Sequence, residues 1–449
     1  MHRLFLTLIV VIVLMACAPA DSKSPVVSAN TQTQPMDSIP LIVLRSFFNN
    51  HEFISSKELR EGLTKGVISC TADIAQRVGK SMGIEEGLVI KNVSDFPLTD
   101  TSAFILTSID SVVPQLLVCA VDSVHFFRDQ LNYPAWIPDS AAHQWESLIQ
   151  SYTHTGVTAL TRRTGVELNT MTNEKYLELI LPFIGNPDLL HISNEVSMQP
   201  NCDYSSMKMK FATRPEHFEI FNLLGADIIE LTGNHNLDVG KEHYVSSFKW
   251  FGSQGMKTFG GGLTPEEASA PLQLSVNDGK QVAWIGFNEF CPCGECADVA
   301  MGANRYKEDN AKNAIEALGR EVDYIIACVQ FGETDSYTPT ASQKKIAKAL
   351  IDAGADVVIG SQAHQPQTFE LYHNKLIFYG IGNFMFDQIH RVGVRQAYFL
   401  ECYFYKGAII QFIPRFTYMG DDRRPAPATN AQIDAIKKAV YLPNFFMGN

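Results

Sequence analysis

Short apolar runs separated by polar, glycine-containing breaks dominate the chain from Leu41 onward. Ile42-Val43-Leu44 and Leu116 to Ala120 have the length and flanks of buried strands, and Ser55-Ser56-Lys57-Glu58-Leu59 offers a helix start with a Ser cap. Residues 41–151 therefore read as a small N-terminal α/β domain of unknown ligand. From about Tyr152 the alternation becomes regular. Strands are predicted at Ile228–Leu231, Val282–Phe287, Tyr324–Phe331, Val357–Ile359 and Leu376–Tyr379. Helices are predicted at Pro215–Leu224, Lys307–Leu318 and Ala341–Ala353; in the last, Ile346, Leu350 and Ile351 share an apolar face and Gly354 follows as a cap. Strands separated by helices argue for parallel sheet layers covered by helices, an α/β fold. After Ala397 two apolar-aromatic runs flank Lys406-Gly407, the pattern of a β-hairpin joining the sheet.

Composition narrows the class. The chain has 449 residues, 46% hydrophobic and 19% charged, which excludes a disordered, collagen-like or heptad-repeat protein. A net charge of −12 and a pI near 5.5 exclude nucleic-acid binding through a basic surface. At the start, Arg3 precedes an apolar run from Leu4 to Met15 that is interrupted only by Thr7. A spanning helix needs about 20 apolar residues, so this shorter run predicts an export signal. It ends in Leu14-Met15-Ala16-Cys17, which resembles a bacterial lipobox. That resemblance implies a lipoprotein signal peptide over residues 1–16, lipidation of Cys17, and an extracytoplasmic protein held to the cell membrane by this anchor. Residues 17–40 are rich in Ser, Thr, Gln, Asn and Pro and read as a flexible tether. No later stretch reaches spanning length.

Candidate chemistry follows from where the polar residues fall. In parallel α/β sheets, ligand sites form outside the carboxyl ends of the strands. Here the run ending His191-Ile-Ser-Asn194-Glu195 closes on a carboxylate, and Ile228–Leu231 leads into Thr232-Gly-Asn-His-Asn-Leu-Asp238. Tyr324–Phe331 ends on Gln330, with Glu333 just beyond. Val357–Ile359 runs into Gly360-Ser-Gln-Ala-His364, and Leu376–Tyr379 into Gly380-Ile-Gly-Asn383. Asn, Asp and Gly also satisfy ordinary turns. The agreement of several strand ends favours a site, one suited to a cation with carboxylate, amide and imidazole ligands or to acid–base chemistry by His.

Taken in order, these motifs resemble the CapA-type proteins of poly-γ-glutamate capsule synthesis, whose domain is related to calcineurin-like metallophosphatases. The resemblance rests on Leu231 to Gly240, Ala349 to Gly360 and Lys375 to Gln388, with Phe259-Gly-Gly-Gly262 and Glu266-Glu-Ala268 in support. It covers about Thr153 to Gln388. It implies a metallophosphatase-like two-layered β-sandwich flanked by helices, occupying residues 152–449. It further implies that Asn234 binds metal, that His235 assists at a phosphate and is oriented by Asp238, and that Glu195 and His364 are the remaining ligands. Gln330, Gln362 and Asn383 are then candidate substrate-binding residues.

The sequence departs from the family pattern at several of these positions. Val157 stands where the resemblance places a metal-binding Asp, Gln330 stands for a His, and Ser361-Gln-Ala-His364 keeps only the last His of a His-His-Pro-His loop. A dinuclear centre needs a bridging carboxylate and several imidazoles. The expectation is therefore one divalent metal (Mn, Mg, Ca or Zn) or none. The implied role is in capsule or cell-envelope polymer synthesis, with an anionic polymer or phosphorylated intermediate as ligand. It is carried out either by metal-assisted hydrolysis or transfer, or by a non-catalytic member that holds polymer or an integral-membrane synthase.

The chain has nine cysteines. Export makes the Cys291-Pro-Cys293-Gly-Glu-Cys296 group a disulfide loop more readily than a zinc site, and Cys202 is expected to reach it. Cys328 and Cys402 lie in apolar strands and are expected to be buried thiols. Lys344-Lys345 and Asp421-Asp-Arg-Arg424 read as solvated surface.

Overall fold

A computed structural model describes residues 38–84, 86–139, 145–291 and 295–448. The export signal, Cys17, Cys293 and the tether up to residue 37 lie outside the described residues. Two sheets build the larger part of the mixed α/β chain. In the first, strands run in the order Lys257–Phe259, Ile228–Glu230, Leu189–Asn194, Ile149–Thr158, Gln396–Tyr405, Ala408–Met419, Pro425–Pro427, with Asn383–Met385 also pairing to Ile149–Thr158. The first four are mutually parallel, and the long hairpin around Lys406-Gly407 joins antiparallel. In the second the order is Leu272–Ser275, Gln281–Asn288, Tyr324–Gln330, Val357–Ser361, Lys375–Phe378, Phe369–Tyr372, with a parallel centre and antiparallel edges.

Side-chain alternation explains how the layers stack, because successive residues of a strand point to opposite faces. Ile228, Tyr152, Leu400 and Phe404 from the first sheet meet Trp284, Ile326, Val357 and Ile359 from the second in one buried cluster. Their neighbours point outward. Ile229 and Ile192 pack with Phe218, Phe221 and Phe251 from the helices Pro215–Leu224 and Lys241–Ser253. Ile325, Ala327 and Val358 pack with Ile315, Ala347 and Leu350 from Glu308–Leu318 and Ala341–Asp352. The result is a two-sheet sandwich with helices on both outer faces.

The N-terminal region has its own six-stranded sheet, ordered Phe53–Ile54, Leu117–Val121, Ile42–Arg45, Phe104–Thr107, Ser69–Cys70, Val89–Ile90, and an apolar core that Ile149, Tyr403, Tyr405 and Ile410 of the sandwich complete. Ser55 forms a capping box with Glu58 at the start of Ser56–Thr64, as the sequence pattern anticipates. This region docks on the sandwich. Gln411 accepts from Val118 N and donates to Leu116 O, both at 2.9 Å, and Arg128 makes a two-point ion pair with Glu401 at 2.7 and 3.0 Å.

Two expectations need correction here. Ser38–Pro40 belongs to a strand and not to a tether, because it pairs antiparallel with Trp136–Pro138. The run 421–424 is not solvated throughout. Arg424 is largely buried and pairs with Glu178 at 3.1 Å, and Arg423 lies 3.7 Å from Glu167. Among the described residues no helix is long and apolar enough to cross a membrane.

Candidate functional site at the carboxyl ends of the strands

Parallel register brings the strand ends to one rim. Asn288 is the partner of Gln330, and Gln330 of Ser361, so the second sheet presents Asn288, Gln330 and the Gln362–His364 turn side by side. In the first sheet Val157 pairs with both Ser193 and Asn383, which sets Asn194-Glu195 and Asn383 beside it. A Cβ at Gly156 would meet the Gly382 carbonyl oxygen at 2.1 Å, so only glycine allows these backbones to close up. Gln362 and His364 sit at φ +75° and +54°, a left-handed conformation that costs each about 1–3 kcal/mol. This turn directs both side chains inward, where they are buried.

The predicted site residues form a connected set. Gln330 Nε2 donates to Glu195 Oε1 at 2.7 Å and to Asn234 Oδ1 at 2.8 Å, and it also contacts Gln362 Oε1. Asn288, which the sequence reading overlooked, fixes this orientation by donating from Nδ2 to Gln330 Oε1 at 2.8 Å. Gln362 Nε2 donates to Glu333 at 3.4 Å, and Glu333 lies 3.8 Å from His364 Nε2. His364 Nδ1 donates to Asn383 Oδ1 at 2.9 Å. Beside this group, His235 Nδ1 donates to Asp238 Oδ2 at 2.7 Å, the same oxygen that accepts from Phe211 N at 2.7 Å.

Electrostatics follow from burial and neighbours. Burial pushes the Glu195 carboxyl up, opposed by His364 and His235. Its second oxygen, Oε2, is buried with no hydrogen-bond partner. Burial works against a charged His235, but the Asp238 hydrogen bond and the charges of Glu195, Asp238 and Glu295 outweigh it and raise the imidazole. Glu295 accepts from Leu237 N at 2.9 Å, and burial pushes it up to about 7. Nothing in the sequence marked Glu295 as a site residue beyond its place within the cysteine group. That group closes as a Cys291–Cys296 disulfide. Cys202 does not join it: this thiol is buried and free, in a cluster with Tyr204 and Ala212. Cys328 and Cys402 are buried free thiols.

The donor set does not fit a dinuclear metal centre. Val157 is 1% exposed and apolar where a bridging carboxylate would stand. Three oxygens, from Glu195, Asn234 and Gln362, do converge as ligands would, but they converge on the Gln330 amide nitrogen, whose two protons they share. A cation there would have to displace that amide. Above this floor an open cleft of about 650 Å³ is lined by Asn234, His235, Lys210, Lys241, Glu295 and Glu333. It runs on through Lys210, Leu237 and Asp238 into a second hollow of about 870 Å³ that carries Lys208.

A family model described as bacterial capsule synthesis protein PGA_cap matches residues 146–388. The chain is 24% identical over 199 residues to the PGA biosynthesis protein CapA of Bacillus subtilis (strain 168), covering 44% of this chain and 52% of that protein. It is 25% identical over 219 residues to the capsule biosynthesis protein CapA of Bacillus anthracis, covering 46% and 53%. It is 22% identical over 226 residues to a probable polyglutamine synthesis accessory protein of Mycobacterium tuberculosis (strain ATCC 25618 / H37Rv), covering 47% and 58%. The chain spans about half the length of the curated relatives it matches.

Proposed function

The chain belongs to the bacterial capsule synthesis family PGA_cap, and from that premise we propose that it is an accessory protein of capsule or cell-envelope polymer synthesis that holds an anionic, poly-γ-glutamate-type polymer in the strand-end groove. The observation that carries this reading is the filled floor: the Gln330 amide occupies the point on which the Glu195, Asn234 and Gln362 oxygens converge, while the groove above stays open. Lys208, Lys210 and Lys241 line that groove and set spaced ammonium groups between the carboxylates of Asp203, Asp238, Glu295 and Glu333. Such a surface holds spaced carboxylates and weakens with salt. In this reading the likeness to calcineurin-like metallophosphatases is one of sandwich architecture. Lipidation at Cys17 would keep the protein at the outer face of the cell membrane, near an integral-membrane synthase.

Fluorescence anisotropy with labelled poly-γ-glutamate oligomers tests this reading. K210A/K241A should weaken binding at least about 10-fold, and added salt should weaken the wild type. Equal affinity of wild type and K210A/K241A, or equal affinity for an uncharged polyamide, would refute it. For the anchor, C17A should release the protein from membranes; unchanged membrane association would refute lipidation.

A second reading is favoured by the His235–Asp238 pair, an oriented acid–base group at the cleft with Glu295, which burial pushes up to about 7, beside it. In this case His235 would pass a proton at Nε2 to a leaving group of a phosphorylated or γ-glutamyl substrate. Turnover of such substrates that H235A abolishes would establish it, and absence of turnover would dismiss it.

A further inference from the structure

Directly behind the strand-end site, between the two sheets, lies a second group of ligand-type side chains that the proposed function does not use. His154, His191, Glu230 and Cys328 each offer one ligand atom, and these four atoms lie within 4.8 Å of one another. All four residues are no more than 2% exposed. The backbone sets this arrangement. His154 and His191 are register partners on neighbouring parallel strands, and Glu230 is the partner of Ser193, two residues beyond His191 on the same face. Cys328 enters from the facing sheet, two residues before Gln330 and two after the inter-sheet Ile326.

The surroundings are those of a supported ligand set. The two imidazole rings stack at 3.8 Å, and His191 Nε2 is 3.1 Å from Glu230 Oε2. Tyr152 Oη lies 2.7 Å from His154 Nδ1 and accepts from Trp284 Nε1 at 2.9 Å. Thr232 Oγ1 donates to Glu230 Oε1. Outer contacts of this kind orient ligating imidazoles and carboxylates. His191 Nδ1, fully buried, has no hydrogen-bond partner. Left to themselves, two imidazoles, a carboxyl and a thiol in an apolar interior are poorly compensated.

We propose that His154, His191, Glu230 and Cys328 form a closed structural site for one divalent cation of the zinc class, tying the two sheets together beneath the groove. Charge is the first argument. A thiolate and a carboxylate neutralise a divalent ion, and two neutral imidazoles complete a four-ligand shell with no net charge, the condition for deep burial. Ligand type points the same way. One sulfur with two ring nitrogens selects zinc over magnesium or calcium, which take oxygen ligands. Geometry agrees: tetrahedral zinc bonds put ligand atoms roughly 3.3–3.8 Å apart, so atoms now within 4.8 Å draw in by about 1 Å while the stacked His154 and His191 rings turn to aim their nitrogens at one point. Binding forms Zn–S, Zn–O and two Zn–N bonds and releases the thiol and carboxyl protons to solvent.

The test uses the full chain. Protein grown with zinc should carry one zinc per chain, and X-ray absorption on the wild type should show one sulfur with three nitrogen or oxygen neighbours. The E195Q/H364A variant, altered only at the strand ends, should keep this metal, whereas C328S should lose it together with the near-ultraviolet thiolate band of the cobalt-substituted protein. Circular dichroism checks the fold of C328S, and C328A serves if the serine variant fails to fold. Wild-type protein without zinc or cobalt uptake overturns the proposal. So does a shell without sulfur, a cobalt band that survives in C328S, or a metal that leaves with E195Q/H364A.

Discussion

Glu401 joins the N-terminal region to the sandwich, and replacing it should unfold that junction in a pH-dependent way. Its carboxylate is buried, takes two bonds from Arg128 at 2.7 and 3.0 Å, contacts Arg415, and accepts from Tyr403 Oη at 2.5 Å. Burial alone would raise its pKa, but the two guanidinium groups and the Tyr403 hydroxyl outweigh burial and hold it down to about 2, against 4.5 for a free glutamate. That difference corresponds to about 3 kcal/mol of folded-state stabilisation. The sign follows from a depressed carboxylate: the contribution is fully present above about pH 4.5 and disappears as pH falls toward 2. E401Q should therefore cost up to about 3 kcal/mol at neutral pH, because it removes the buried counter-charge that the partly solvated Arg128 and Arg415 share. Urea unfolding followed by tryptophan fluorescence reads both sides of the junction, through Trp136 in the N-terminal region and Trp284 in the sandwich. The gap between wild type and E401Q should close between about pH 4.5 and pH 2. A gap of constant size across that range would refute the assignment.

Other perturbations probe the groove and its floor. Glu295, with its carboxyl raised to about 7, is neutral below that pH and charged above it, so affinity for an anionic polymer should fall about 3- to 10-fold as pH rises through 7; E295Q should flatten this profile in the anisotropy assay. The same raised value means that Glu295 favours the fold most below about pH 4.5 and loses that contribution as pH rises through 7. Gln330→Leu removes the N–H groups shared by Glu195, Asn234 and Gln362 and should lower stability by about 1–3 kcal/mol; an unchanged melting temperature would show that the floor is not held by this amide. Gln411→Ala leaves Val118 N and Leu116 O without partners, at a similar cost of about 1–3 kcal/mol. Limited proteolysis should then release the N-terminal region faster than in the wild type.

Local signals in the sequence were sufficient for the elements and for the strand-end rim. The helix Pro215–Leu224 has the bounds its pattern predicts, with Pro at its first turn and Gly225 as its left-handed cap. Glu195, Asn234, Gln330 and Gln362 follow four separate strands and meet because parallel strands align their ends. Features that depend on distant pairing were not legible. Ser38-Ile39-Pro40 has a tether's composition and becomes a strand only through Trp136–Pro138. Cys202 shares a loop-like setting with the later cysteines, yet loop spacing carries no distance, and its thiol lies under Tyr204 instead. The deepest case is the inter-sheet group. His154 lies between Thr153 and Thr155, Glu230 closes its strand, and His191 and Cys328 sit among apolar residues, so no local spacing links the four. Register places the first three on one face, and sandwich closure brings in the fourth. The same closure puts Gln330 two residues further along the strand that carries Cys328. Strand pairing thus stacks two polar layers between the sheets, and their chemistry differs with the residues supplied. At the rim an amide fills the centre of three oxygens. One layer deeper, two imidazoles, a carboxyl and a thiol bring nitrogen, oxygen and sulfur atoms within 4.8 Å of one another, a set of donors that only a cation gathers.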